Sequence, residues 1–282
     1  MERIPGAPDL RLGEALGPYR LESVLGEGAM GVVFAATRLE DDVVVALKVL
    51  KKLLSRNEVY RQRFVREARV AREVRHRYLV PILDLGGARD YHYLAVAYVE
   101  GGSLGDRIEA RGALPVDDTV RLAAEVASAL DALHRHEIVH RDVKPSNVML
   151  DLEGHAAVTD FGLAKGPAYT VLTKPGQVMG TLDYVAPELI RGEQTGPAAD
   201  VYALGCVIYE CLAGAAPFAD RRLFEVAAAH LDDPPPDVSA IRPEVPRPLA
   251  EVIQGAMAKD PGARPRTGTA FAHLLRAATA SG

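Results

Sequence analysis

The sequence predicts an α+β chain of two lobes, a small β-rich one carrying one long helix and a larger, mainly helical one. Three observations carry that prediction. Residues 19–99 are dominated by runs that mix β-branched, aromatic and alternating apolar residues, such as "VVFAATRL", "VVVALKVL" and "YHYLAVAYV". From residue 116 onward the apolar spacing turns helical, in "VDDTVRLAAEVASALDALHRH" and "DVYALGCVIYECLAG". Between the two regions "EGGSLGD", residues 100–106, reads as a loop with Ser103 capping the next helix, and a ligand cleft is expected near residues 97–101.

The 282 residues suffice for one large domain or two small ones with a sizeable core. A formal charge of −5 argues against a general nucleic-acid binder. No run approaches the roughly 18 apolar residues of a membrane span, and "MERIPGAPDLRLGEALGP" lacks the apolar stretch of a secretory signal. Cys206 and Cys211 share one apolar segment with no metal-ligand spacing, which suits buried thiols in a reducing cytosol.

Taken in order, residues 1–17 carry two prolines and three glycines without periodicity, and are expected as a tail that is loose or draped on a surface. "LGEGAMGVVF" follows, with glycines at 26, 28 and 31. A dinucleotide loop requires the last glycine to open a helix. Here "VVFAATR" follows, a strand pattern, so a glycine-rich β-turn-β hairpin is expected, able to approach phosphates through backbone N–H groups. A Walker-type P-loop fails because no Gly-Lys-Ser/Thr follows.

Lys48 sits among apolar residues of the next strand. A long helix is expected over about residues 57–76, with a stripe of Tyr60, Phe64, Glu67, Ala71 and Val74. A carboxylate in such a stripe is costly without a cation, which makes Lys48 a candidate partner for Glu67; an exposed role within the helix stands beside that reading. The arginines at 61, 63, 66, 69, 72, 75 and 77 read as a solvated face in preference to a docking surface for an acidic partner.

In the second lobe, the helix at 116–136 has acidic residues in its first turn and basic ones in its last, as the helix dipole favours. Residues 200–214 are apolar on nearly every face, implying a buried helix. "DDPPPDVSAIRPEVPRP", residues 232–248, is expected as an irregular, proline-stiffened loop. "EIVHRDVKPSNVML" embeds His140, Arg141, Asp142, Lys144 and Asn147 between two apolar, strand-like pieces, and Asp160 follows in "AAVTDFGLAK". An Asp and an Asn five apart with a second Asp downstream fit a base plus oxygen ligands for a hard divalent cation. A polar turn bonding its own backbone explains any one of them singly, but the whole set poorly.

The ordered set "GEGAMGVV", "VALKVL", Glu67, "HRDVKPSN", "DFG", "APE", "DVYALG" and "KDPGARP" resembles the eukaryotic-like (Hanks-type) protein kinases, in detail their bacterial Ser/Thr branch, over roughly residues 18–279. The resemblance implies a bilobal protein kinase fold: a tail at 1–17, an N-lobe at 18–97, a hinge at 98–101 and a C-lobe at 102–279. It implies that Leu25, Gly26, Glu27, Gly28 and Gly31 cover ATP, and that Lys48 contacts its phosphates while paired to Glu67. Val33, Ala46 and Met149 would enclose adenine, the backbones of Ala97 and Val99 would bond its edge, and Val96 would be the gatekeeper. Many relatives carry Glu where Ala97 stands, but only its carbonyl is needed.

By the same resemblance Asp142 accepts the substrate proton, Lys144 meets the transferring phosphoryl group, and Asn147 and Asp160 hold the metal, Mg²⁺ with Mn²⁺ as an alternative. Glu188 and Arg264 match the family's structural ion pair and Asp200 the helix-start aspartate that ties down the catalytic loop, so all three are architectural; His140 and Phe161 pack behind the site. Lys144 and Thr181 match the Ser/Thr pattern over the Tyr pattern. Arg141 beside the base suits a phosphate, which points to autophosphorylation at Thr173 and Thr170. The implied partners are ATP and protein substrates bearing Ser/Thr, with self-association for trans-autophosphorylation, no nucleic acid and no membrane segment in the chain. The implied location is the cytoplasm, alone or as the cytoplasmic domain of a longer membrane-anchored kinase. A pseudokinase or scaffold that only binds is the alternative reading. A small-molecule phosphotransferase ranks last, because it usually lacks the Ala-Pro-Glu segment and the Asp200 pattern.

Overall fold

The computed structural model describes residues 7, 9–28, 30–161 and 182–280. The chain divides into two compact units, Met1–Arg75 with Val80–Val99, and His76–Leu79 with Glu100–Gly282.

The first unit contains β1 (Ala15–Leu16), β2 (Tyr19–Glu27), β3 (Gly31–Arg38), β4 (Val44–Leu50), α1 (Lys52–Arg56), α2 (Glu58–Glu73), β5 (Ile82–Ala88) and β6 (Tyr91–Ala97). The strands form one antiparallel sheet in the order β1-β2-β3-β4-β6-β5. Side chains alternate between its faces. Leu21, Phe34, Val45, Leu47, Val49, Tyr91, Tyr93 and Ala95 are buried together on one face. Ala7, Leu10 and Leu16 join that cluster, so the described part of the N-terminal segment is draped on the sheet and packed into its core.

Asn57 caps α2, accepting a hydrogen bond from the Tyr60 backbone N–H at 3.0 Å. The helix stops three residues before the expected end. Val74 turns extended, and residues 76–79 are held in the second unit, where Ser128 Oγ meets His76 Nε2 at 3.1 Å. α1 escaped the sequence reading because five residues are too few to show a period.

The second unit contains α3 (Leu104–Arg111), α4 (Val116–His134), the hairpin β7 (Val148–Leu150) and β8 (Ala156–Val158), α5 (Pro187–Ile190), α6 (Pro197–Ala213), α7 (Leu223–Asp232), α8 (Val238–Ile241), α9 (Arg247–Ala256) and α10 (Gly268–Ala280). Ser103 caps α3 in a reciprocal capping box with Asp106. α6 is buried along nearly its whole length, opens on Pro197 and closes on Gly214 at φ 79°. Cys206 and Cys211 are buried thiols on this helix.

Two expectations need correction. The proline-rich stretch 232–248 is not wholly irregular: Val238–Ile241, which lacks proline, forms a helical turn capped by Asp237, and α9 starts at Arg247. Ile138 and Val139 are not a strand, because the Ile138 N–H bonds back to the Leu133 carbonyl and closes the end of α4.

Candidate active site

The polar cluster of the second unit is organised from beneath by Asp200 of α6, which is 1% exposed. Its Oδ2 accepts from the His140 backbone N–H at 2.8 Å and its Oδ1 from the Arg141 N–H at 2.8 Å. His134, at the end of α4, brings Nε2 to 2.7 Å from the same carboxylate. These bonds hold Arg141 at φ 61°, a left-handed conformation that costs a non-glycine residue about 1–3 kcal/mol.

His140 is buried and its imidazole is held below its ordinary pKa, chiefly by desolvation. The neutral ring is oriented at both ends: Nδ1 accepts from the Asp142 backbone N–H at 3.2 Å, and Nε2 donates to the Thr159 carbonyl at 3.0 Å. Phe161 meets it edge to face at 6.3 Å.

Lys144 and Asn147 both bring donors to Asp142. Lys144 Nζ lies 3.2 Å from its Oδ2, and Asn147 Nδ2 donates to that oxygen at 3.1 Å and to the Asp142 carbonyl at 2.8 Å. Committing the amide nitrogen to Asp142 leaves Asn147 Oδ1 as an acceptor. Asn147 immediately precedes β7, and its carbonyl takes the Thr159 N–H at 3.0 Å, so Asp160 follows directly beside it, at φ 61°. Asp142, Lys144, Asn147 and Asp160 are thus one local constellation. Among the described residues no three His, Cys, Asp or Glu side chains converge into a closed metal cage. Mg²⁺ needs only one or two carboxylates with water and phosphate completing its shell, and the Asn147 and Asp160 oxygens fit that requirement. A depression lined by Arg141, Asp142, Lys144, Tyr184 and Val185 borders the constellation.

In the first unit, β2 and β3 form the expected hairpin, with Gly26 opposite Val33 and no helix after Gly31. The three glycines serve different needs. A Cβ on Gly31 would lie 2.1 Å from the Val49 carbonyl oxygen, so β4 itself demands that glycine. A Cβ on Gly26 would meet nothing within 4 Å, and one on Gly28 only the Gly31 carbonyl at 3.9 Å. The fold leaves those two positions open to an approaching group. Leu25 and Glu27 flank them and are exposed.

Lys48 stands opposite Val33 and Leu94, and Ala46 opposite Ala35 and Val96, on the sheet face away from the Leu47 cluster. Val33, Ala46, Lys48 and Val96 therefore share one face. Lys48 and Glu67 are both half-buried in this unit. Ala97 spends its N–H on the Pro81 carbonyl at 3.0 Å, so the carbonyl is the group it has for an adenine edge. Val99 lies past the end of β6. Met149 belongs to the second unit, on β7 opposite Ala157. Thr170, Thr173 and Thr181 lie outside the described residues.

Glu188 and Arg264 form a buried bidentate pair at 2.7 and 2.8 Å. The other donors of Arg264 bond the carbonyls of Ala258, Ala198 and Lys259, which satisfies all five guanidinium N–H groups. His134 is the residue that sequence reasoning missed, since a histidine in a last helical turn reads as a dipole partner.

The sequence model of the family described as "Protein kinase domain" matches residues 19–275. The chain belongs to the protein kinase family. Among curated kinases it is 38% identical over 255 residues to the serine/threonine-protein kinase PknH of Mycobacterium bovis, covering 90% of this chain and 43% of that protein. It is 37% identical over 273 residues to the serine/threonine-protein kinase drp72 of Corynebacterium efficiens, covering 95% of this chain and 52% of that one. The kinase chain thus spans about half or less of the length of these relatives. The crystal structure of the Mycobacterium tuberculosis PknI kinase domain superposes with a TM-score of 0.76 at 30% identity, over 95% of this chain and 99% of that one. The bilobal kinase fold expected from the sequence is the fold observed. No helix among the described residues is long and apolar enough to cross a membrane.

Proposed function

We propose that this chain is a serine/threonine protein kinase domain that transfers the γ-phosphoryl group of Mg-ATP to Ser/Thr hydroxyls of protein substrates. The observation that carries the reading is Asp142, its carboxylate fixed by Asn147 and Lys144 and its backbone held through Asp200. Names of the relatives support the Ser/Thr class.

In this reading Asp142 orients the substrate hydroxyl and takes its proton as the oxygen forms its bond to the γ-phosphorus and the bond to ADP breaks. Lys144, beside the same carboxylate, offsets negative charge on the phosphoryl oxygens. Asn147 and Asp160 hold the divalent ion, which when bound neutralises phosphate charge. Gly26 and Gly28 supply the unobstructed backbone over the phosphates, with Gly31 shaping the hairpin, and Lys48 paired to Glu67 binds the nucleotide. Val33, Ala46, Val96, Met149 and the Ala97 and Val99 backbones hold adenine, with Leu25 and Glu27 at its rim. Thr181 assists at the base, and Thr173 and Thr170 are autophosphorylated in trans.

Incubation with labelled Mg-ATP and a generic protein substrate tests the proposal. Label on protein that vanishes in Asp142→Asn supports it. Nucleotide binding without transfer under Mg²⁺ or Mn²⁺ overturns it in favour of a binding-only kinase fold.

A further inference from the structure

The 3₁₀ turn Leu182–Tyr184 borders the site, because Tyr184 and Val185 line the same depression as Asp142 and Lys144. Residues that line one depression with Asp142 are placed to touch a polypeptide presented to it, so what fixes this turn bears on how that substrate is held. Tyr184 is tied at its tip, its hydroxyl donating to Glu210 at 2.6 Å. Downstream, Glu188 is held by Arg264. Behind the turn stands α7. Its Val226 and Ala227 form one buried cluster with Leu182, Val185 and Ile190.

α7 is itself fastened by a cluster that the residues assigned to the chemistry do not use. His230 near its C-terminal end is 0% exposed and shares a 2.8 Å hydrogen bond with the Tyr202 hydroxyl of α6. Phe218 stands edge-on to the imidazole at 5.1 Å, holding φ 64°, a genuine outlier for an aromatic residue. His230 Nε2 is buried, and the backbone of Asp183 in the turn acts on this imidazole to favour its protonated form.

Lys259 closes the cluster. Its Nζ donates to the Ala229 and His230 carbonyls at 2.9 Å each, capping the end of α7. The same ammonium lies over the Phe218 and Tyr202 rings at 5.3 and 5.9 Å. Arg264 stacks on Tyr202 at 4.8 Å and bonds the Lys259 carbonyl. Burial lowers Lys259 to about 8 and His230 to about 4, so the ammonium is mostly charged and the imidazole neutral at pH 7. A strained aromatic and a lysine drawn into a half-buried cage are local costs that a surface helix does not need.

We propose that Lys259 and His230 are positioning residues that lock α7 behind Leu182–Val185 and thereby set how the polypeptide substrate is held beside Asp142. The inference rests on the kinase reading above. It separates nucleotide from protein substrate, since nothing in this cluster belongs to the residues assigned to ATP.

The test compares Lys259→Met, Lys259→Arg and the hydroxyl deletion Tyr202→Phe with the unaltered chain. For each, KM is measured for ATP and for a Ser-containing protein substrate, with hydrogen exchange of the amides at 182–186. Lys259→Met is expected to raise the protein KM about tenfold while the ATP KM stays within about twofold, and to speed exchange at 182–186. Lys259→Arg, which keeps a cation over the rings, is expected to restore much of the loss, and Tyr202→Phe to reproduce it in weaker form. Unchanged values, a fall in kcat alone, or an equal rise in both KM values overturns the proposal. If Lys259→Met does not fold, Tyr202→Phe alone decides by the same criteria. If the unaltered chain transfers no phosphoryl group, the kinase reading fails instead. Exchange at 182–186 then still decides whether the cluster holds the turn.

Discussion

The Asn147 amide nitrogen bonds both the carboxylate and the backbone carbonyl of Asp142, at 3.1 and 2.8 Å. One side chain therefore sets the position of the base and turns its own Oδ1 toward the role of ligand. Asn147→Ala should lose both functions. Asn147→Asp should keep a ligand oxygen but set a second carboxylate against Asp142. Both variants are expected to lower kcat by at least about a hundredfold, and the loss of two buried hydrogen bonds to lower stability by about 1–3 kcal/mol. A steady-state assay beside a thermal melt checks this, and a variant retaining near-normal kcat would contradict it.

Glycine substitutions should separate fold from ligand. Gly31→Ala drives a Cβ into the Val49 carbonyl, so it is expected to destabilise the first unit by roughly 1–3 kcal/mol. Gly26→Ala meets open space and should leave the melting curve in place while raising KM for ATP. Paired urea melts and nucleotide titrations distinguish the two.

The Glu188–Arg264 pair is buried, and removing one partner strands a charge. Glu188→Ala is expected to cost roughly 3–5 kcal/mol, on the order of 10 °C in Tm. Arg264→Lys should fare poorly too, because a lysine cannot replace five donors aimed at five acceptors. Differential scanning calorimetry reads both.

Acid should unfold the chain through its buried histidines. His230 is lowered from 6.5 to about 4, by burial first and then by the Lys259 cation, while the Asp183 backbone opposes the shift. The unfolded chain takes up that proton near 6.5 and the folded chain only near 4, so in this window the unfolded state holds more protons and stability falls as pH falls. The full loss from this group is about 3 kcal/mol. His140 shifts in the same direction by burial and adds to the slope. Urea melts between about pH 7 and 4.5 should show the decline, and His230→Gln should flatten it.

The N-terminal segment should prove structural. Leu10 and Leu16 are 1% and 0% exposed in the first unit's core, and Asp9 is salt-bridged to Lys52. Leu10→Ala is expected to cost about 2–5 kcal/mol. Removing residues 1–17 should lower Tm further, as a melt of the truncated chain would show.

The two-lobe class, the strand-turn-strand setting of the glycines, the buried α6 helix and the order of Lys48, Glu67, Asp142, Asn147 and Asp160 were legible because each is a local pattern of apolar period or motif spacing. The packing of Ala7, Leu10 and Leu16 was not, since a segment without period shows its burial only once a sheet face exists to receive it. Nor was the helical turn at Val238–Ile241, where the prolines around it masked a cap at Asp237. Sequence alone determined which chemical groups this chain carries and in what order. Tertiary structure alone decided that Gly31, of the three glycines, answers to the fold, which backbone N–H groups of the loop Asp200 would take, and that Lys259 would close over His230. The bonds made by Asp200 and Lys259 join residues 29 to 60 positions apart, and no local period can encode a distance of that kind.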